Sequence, residues 1–451
     1  MYVYYENLIS GQTGKGNLEW NTVRGTVHDN YKIITQGVDM QKKNCIVAQS
    51  GGPTVAINAS LAGVLQTVIE NGVYEKVYGS VNGILGVLNE NVIDLTEKAA
   101  EKPEFVERLK KSPSMYLGSC RYRLPDYAKE DAQYAYIFSK LKKYNAGAFF
   151  YIGGNDSMDT VDKLNSYAKL IGSDIKIIGI PKTIDNDLVI TDHTPGYGSA
   201  AKYIASAMIE IAHDVSIYPI HSITIVEIMG RDAGWLTAAS VLARNSYNMA
   251  PHLIYLPEVP FSKEKFINDI KEKLLSHRNI VVAVSEGIRD EKGRYISATS
   301  AVGDTFGHSQ LSGTGKCLEY IIKENIEVKV RSIEVNILQR CAAHLLSLTD
   351  IAESFRAGRH AVEISMDGVS GDMVTIKRTG NNPYSVCMES YPVGEIAGQM
   401  KPVPREWIND EGNDVKQEFI DYVFPLIQGE PIVEYKNGLP VYLPIEHLMK
   451  V

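Results

Sequence analysis

The chain has 451 residues, 44% of them hydrophobic, and a formal net charge of −8 at pH 7. A chain of this length can bury a large core and is expected to form two, or even three, domains, while the acidic balance and the absence of any long Lys/Arg cluster argue against a nucleic-acid surface. Five cysteines, an odd number without CxxC spacing, disfavour a disulfide framework or a structural zinc site and suit a reducing cytoplasm; no run of about 18 apolar residues suggests a membrane span.

Residues 1–39 are polar, lack clear periodicity and carry neither the basic start nor the apolar stretch of a signal peptide. They read as an extension without an assigned role, and Met40 as a candidate start. From residue 45 the chain repeats a short apolar run, a turn and an amphipathic segment of helical length, which is βα alternation. "CIVAQS" leads through "GGPT" into the helix "VAINASLAGVLQTVIENG"; "AGAFFYI" leads through "GGNDS" into "SMDTVDKLNSYAKLIG"; "IKIIGI" leads into "PKTIDND". Ligands of open parallel sheets bind beyond the carboxyl ends of the strands, so these three loops are expected to line one crevice.

Further strands are predicted in "SITIVEIMG", "LIYLPE", "NIVVAVSEG" and "SIEVNILQR", after the long helix "SAAKYIASAMIEIAHDVSIY". The expected division is a first α/β domain over 40–218, to which the chain returns at 341–379, and a second over 219–340. Residues 380–451, rich in Pro and Tyr, read as an accessory C-terminal segment. No internal repeat is visible.

Several strand ends carry residues suited to chemistry. In "YIGGNDSMDT", Gly153 and Gly154 allow close approach to a ligand, yet Asp156 places a carboxylate where a helix start attracts anions; its ordinary reading is a helix cap. "PKTIDND" gathers Lys182, Thr183, Ile184, Asp185 and Asp187, and the two carboxylates share a side if the strand conformation persists. A turn rich in Asp and Asn explains the same letters. "EIMGRDAGWL" supplies Met229, Gly230 and Arg231, whose guanidinium can clamp a phosphoryl group or simply pair with Asp232; "VSEG" supplies Glu286, and "LGSCRYRL" supplies Arg121 and Arg123. "LSGTGKC" lacks the first glycine and the final Ser or Thr of a P-loop, and His213, His221 and His344 lack metal-ligand spacing.

Taken in order, "QSGGPT", "GGNDS", "TIDND", "MGR" and "SEG" resemble the motifs of the phosphofructokinase family, and specifically its pyrophosphate-dependent branch, over about Cys45 to Arg340. The resemblance implies two Rossmann-like parallel-sheet α/β domains, the first for the phosphoryl donor and the second for the sugar phosphate. It implies reversible, Mg²⁺-dependent transfer of a phosphoryl group from diphosphate to the C1 hydroxyl of fructose 6-phosphate, by a cytoplasmic homodimer, in glycolysis and gluconeogenesis.

By position, Asp185 resembles the general base, with Lys182, Asp156 and Arg231 also catalytic. Gly51, Gly52, Lys182 and Arg121 resemble donor ligands. Thr183, Ile184, Asp185, Met229, Gly230, Arg231, Glu286 and Arg340 resemble substrate ligands, joined by Arg331. ATP-using relatives read GGDGS and PGTIDND, so Asp156 and Lys182 resemble the pyrophosphate signature. Asn155 and Asp156 are the candidate metal residues, although Asn155 stands where relatives carry an aspartate. Ile337 and Ser222 also depart from the pattern, which keeps sedoheptulose 7-phosphate open as a substrate. The alternatives are an ATP-dependent phosphofructokinase and a catalytically silent sugar-phosphate-binding subunit.

Overall fold

The apolar runs assemble into two main β-sheets, beside a two-stranded ribbon (Tyr435–Lys436 with Leu439–Pro440), in a computed structural model that describes residues 42–297 and 313–449; the N-terminal extension and the first two residues of "LSGTGKC" lie outside the described residues, and Thr314 opens a helix. The larger sheet contains β1 (Asn44–Gln49), β2 (Val77–Ser80), β3 (Val92–Asp94), β4 (Ala146–Gly153), β5 (Lys176–Pro181), β10 (Asp372–Asn381) and β11 (Tyr384–Pro392). Their order is β11–β10–β5–β4–β1–β2–β3, parallel except for the two edge strands. Every residue of β1 and β4 is buried. Helices cover both faces, so the central strands can be apolar throughout rather than alternating.

The smaller sheet is wholly parallel. It contains β6 (Ser222–Ile228), β7 (Leu253–Tyr255), β8 (Asn279–Ser285) and β9 (Lys329–Glu334), ordered β7–β8–β6–β9. The three loops expected to share a crevice follow β1, β4 and β5, which are adjacent in the larger sheet. Strand pairing therefore brings their carboxyl ends together.

Three segments differ from their sequence reading. "SIEVNILQR" is a strand only as far as Glu334, after which Asn336–Arg340 forms a 3₁₀ helix. Val335 donates its N–H to the Glu227 carbonyl at 3.0 Å as the last ladder-like bond, and Asn336, at φ 49°, turns the chain out of the sheet. Residues 384–392, read as part of an accessory segment, are an edge strand of the larger sheet. The helix after "GGNDS" begins at Asn155, with Gly154 as N-cap and no side-chain cap, so Asp156 lies inside the first turn and does not cap. No helix among the described residues is long and apolar enough to cross a membrane.

The helix Ile57–Asn71, which follows the first glycine loop, crosses the helix Leu348–Met366 at glycines. A Cβ on Gly63 would lie 2.1 Å from the Phe355 carbonyl oxygen, and one on Gly358 would lie 2.0 Å from that of Ser60. Backbone meets backbone here, so a methyl group has no room. Gly358→Ala is therefore expected to destabilise the fold by roughly 1–3 kcal/mol through overpacking, despite alanine's better helix propensity. A urea midpoint equal to or above that of the parent would show that the crossing yields freely.

Candidate active site

The carboxyl ends of β1, β4, β5 and β6, together with the 3₁₀ turn after β9, open onto a cleft of about 430 Å³. From the larger sheet it is lined by Gly51, Gly52, Thr54, Arg121, Gly154, Asn155, Asp156, Lys182, Thr183, Ile184, Asp185 and Asp187; Met229, Arg231, Asp232, Ala233 and Arg340 come from the smaller. Both glycines of the first loop leave space for cations. A Cβ on Gly51, which has φ 80°, would sit 3.2 Å from Lys182 Nζ, and one on Gly52 would sit 3.0 Å from Arg340 Nη1. Thr54 Oγ1 accepts the Ile57 N–H at 3.0 Å and so starts the helix that carries this loop.

In the second loop, a Cβ on Gly153 would meet Ser157 Oγ at 2.0 Å, which permits only glycine. Asn155 Oδ1 accepts the Gly398 N–H at 2.6 Å, and its Nδ2 donates to the Gln399 carbonyl at 2.5 Å. The Asp156 carboxylate lines the cleft without a capping role.

The third loop leaves the sheet at once. Lys182 Nζ donates to the Gly52 carbonyl at 2.7 Å, tying the third loop to the first, and Thr183 Oγ1 accepts the Asp185 N–H at 3.1 Å. Asn186 has φ 56°, so the period-two alternation expected of a strand does not apply. A turn, rather than a continued strand, aims Asp185 and Asp187 into the same cleft.

On the other side, Gly230 has φ 136°, and its N–H reaches Glu286 Oε1 at 3.3 Å. A Cβ on the neighbouring Gly287 would meet the Arg231 carbonyl oxygen at 1.7 Å. Glu286 thus braces the Met229–Arg231 turn from behind, and neither it nor Gly230 is among the residues that line the cleft. Buried Gln339 also takes the Met229 N–H, at 3.3 Å, coupling this turn to the one that carries Arg340. Asp232 pairs with Arg289 rather than with Arg231. Arg331 is an exposed partner of Asp214 at 3.5 Å, and neither it nor Arg123 lines the cleft.

Sequence reasoning missed Thr54, Asp232, Ala233, Gly398 and Met400 as lining residues. The last two lie in the C-terminal segment far from any motif, where no local signal marks them.

The charges in the cleft are buried and mutually dependent. Burial pushes the Asp185 carboxyl above its ordinary range, opposed by Arg231, Lys182 and Arg340 and by the Thr183 hydrogen bond. Asp187 is raised by burial and by the negative charge of Asp185. Lys182 is lowered to about 7 by burial, with Asp185 opposing and Arg340 reinforcing the shift. Glu286 is raised to about 7 by burial, against the Gly230 N–H. A carboxylate able to take a proton therefore sits among three cations from two sheets, with Arg121 close enough to bear on Arg340.

Residues 44–365 match the family model described as Phosphofructokinase. A pyrophosphate--fructose 6-phosphate 1-phosphotransferase from Halomonas elongata is 37% identical over 404 residues, covering 89% of this chain and 96% of that relative. One of the same name from Rhodospirillum rubrum is 40% identical over 397 residues, with 86% and 95% covered. The crystal structure of a pyrophosphate-dependent phosphofructokinase from Marinobacter aquaeolei superposes with a TM-score of 0.79 at 35% identity, covering 89% of this chain and 95% of that one.

The buried Lys182 charge makes a prediction about stability. Its folded pKa, about 7, lies below the ordinary lysine value of 10.5, so below pH 7 the folded state bears the full cost of a buried ammonium, and above 10.5 it bears none. Lys182→Met is expected to gain stability relative to the parent, most at pH 6 and less as pH rises towards 10. Denaturant midpoints across that range check it; a difference independent of pH would mean that Lys182 is not charged and buried as described.

Proposed function

The chain belongs to the phosphofructokinase family, and on that premise we propose that it transfers a phosphoryl group from diphosphate to the C1 hydroxyl of fructose 6-phosphate, giving fructose 1,6-bisphosphate and phosphate. The observation that carries the reading is the placement of Asp185 among Arg231, Lys182 and Arg340, with Asp156 on the same cleft.

Asp185 accepts the C1 hydroxyl proton as the C1 oxygen bonds to one phosphorus of diphosphate. The bridging P–O bond breaks, and its electron pair leaves with phosphate. Burial, which raises the Asp185 pKa, makes the carboxylate a stronger base, and the surrounding cations oppose that rise. Lys182, Arg121 and the N–H groups of Gly51 and Gly52 hold the donor oxygens; Arg231 and Arg340 serve the acceptor and the transferred group; Met229 packs against the sugar. Glu286 keeps the Met229–Arg231 turn in place. Because phosphate leaves rather than a nucleotide, the step runs readily in both directions.

Asp156 and Lys182 select diphosphate. An aspartate that lines the cleft in the first turn of a helix repels a nucleotide's α-phosphate and occupies its space. The lysine supplies charge that a small donor, without a nucleoside to bury, cannot obtain otherwise.

The carboxylates of Asp156 and Asp187 are hard oxygen donors that fit Mg²⁺, and no group of three potential ligands stands ready among the described residues, so the remaining ligands would be diphosphate oxygens. When bound, Mg²⁺ neutralises charge on the donor. A homodimer and a cytoplasmic location belong to the same proposal, the latter supported by five free cysteines.

Asp185→Asn is expected to lower kcat by roughly 10²–10⁴-fold with the fructose 6-phosphate KM nearly unchanged, since it removes the base and keeps the shape. Equal kcat would move the base to another group. Donor choice is tested by the ratio of kcat/KM for diphosphate to that for ATP. Lys182→Gly is expected to cost diphosphate activity more than about tenfold, and Asp156→Gly to admit ATP with modest turnover. Product from ATP alone in the parent enzyme would sink the proposed donor.

A further inference from the structure

Asn155 stands next to Asp156 on the cleft, and both of its polar side-chain atoms bond to the backbone of the C-terminal segment. Oδ1 accepts from Gly398 N–H at 2.6 Å, and Nδ2 donates to the Gln399 carbonyl at 2.5 Å. One partner is a donor and the other an acceptor, so only a carboxamide satisfies both. A carboxylate would set an oxygen against the Gln399 carbonyl and lose that bond.

The segment so held is a strap between the two sheets. Val393 and Ile396, both fully buried, anchor its start in the core beneath the helix Asn155–Leu170, and Gln399 Nε2 returns to the Glu395 carbonyl at 2.7 Å. At its other end the Lys401 N–H bonds to the Asp187 carbonyl at 2.7 Å, Lys401 Nζ reaches the carbonyls of Thr191 and Asp192 at 3.0 and 2.7 Å, and Trp235 Nε1 donates to the Lys401 carbonyl at 2.8 Å. Val403 N–H then reaches Glu258 at 2.9 Å on the smaller-sheet side. Between these anchors Gly398 and Met400 form part of the cleft wall, and the Asn155 carboxamide bonds this stretch to the helix start at Gly398 and Gln399.

We propose that Asn155 is a positioning residue for the diphosphate half of the site, clamping the Gly398–Met400 wall beside Asp156, and that it is not a ligand of the cation. The proposal rests on the reading of the cleft given above.

The test compares the full-length parent with Asn155→Asp and Asn155→Ala, each with diphosphate, fructose 6-phosphate and Mg²⁺, and follows amide hydrogen exchange at Gly398 without substrates. Both variants are expected to speed exchange at Gly398 and to raise the diphosphate KM by about fivefold, the worth of one net hydrogen bond, with the fructose 6-phosphate KM unchanged. The Mg²⁺ concentration for half-saturation is expected to be no lower in Asn155→Asp. A lower value in that variant, restored function with the carboxylate, an unchanged diphosphate KM, or unchanged exchange would each overturn the proposal. A parent enzyme inactive with diphosphate would instead defeat the functional reading, and the exchange measurement would still report on the clamp.

Discussion

Everything in this molecule is arranged around one unfavourable juxtaposition, a carboxylate and three cations drawn partly out of bulk water at the meeting of two sheets, with Lys182 fully buried. Asp185 and Lys182 come from the turn after β5, Arg231 from the turn after β6 and Arg340 from the turn after β9. Each charge alone would be costly to bury, and the cluster is tolerable because Asp185 attracts all three cations and the backbone bonds to it, as the Gly52 carbonyl does to Lys182. The lowered pKa of Lys182 and the raised pKa of Asp185 record the residual cost. Free energy left unspent on stability at such a site becomes available to bind anionic reactants.

A buried polar network holds the turn that carries Asp185. Asn186, in the left-handed region, donates to the Tyr422 hydroxyl at 2.8 Å and accepts the Thr194 N–H at 3.0 Å. Tyr422 in turn donates to the Asp192 carbonyl at 2.7 Å, and Arg378 pairs with the Asp192 carboxylate at 3.0 Å. His193 lies between Asp192 and Glu353; burial opposes its charge, but the two carboxylates outweigh burial and raise its pKa to about 9, so it is a cation at neutral pH. Residues 372–423 thus brace the turn that follows β5, and the same segment supplies the strap bonded to Asn155.

The two sides of the cleft do different physical work. On the larger-sheet side, glycines and a helix start bring backbone N–H groups, cations and the Asp156 carboxylate to the cleft. On the smaller-sheet side, Arg231 and Met229 are set by interior residues: Glu286 and Gln339 each accept one backbone N–H of that turn.

The sequence alone determined the alternation of strands and helices, the two α/β domains, the acidic character of the chain and the strand-end motifs, because each of these is local: an apolar run of fixed period, a glycine pair, a charged turn. It also pointed to Lys182, Asp185, Arg231 and Arg340 as companions, through the resemblance their spacing carries. Three kinds of fact were decided only by the tertiary structure. Asp156 lines the cleft and does not cap, because Gly154 takes the N-cap position. Glu286 Oε1 accepts the Gly230 N–H beneath the Met229–Arg231 turn and lies outside the residues that line the cleft, a placement set by how the strand ends pack. Gly398 and Met400 join the site, and Asn155 is spent on holding them, because a strap more than 200 residues away in sequence returns to the start of one helix. Local pattern specifies which backbone groups need partners, but which distant segment supplies the partner depends on how the two sheets pack, and that is a property of the whole chain.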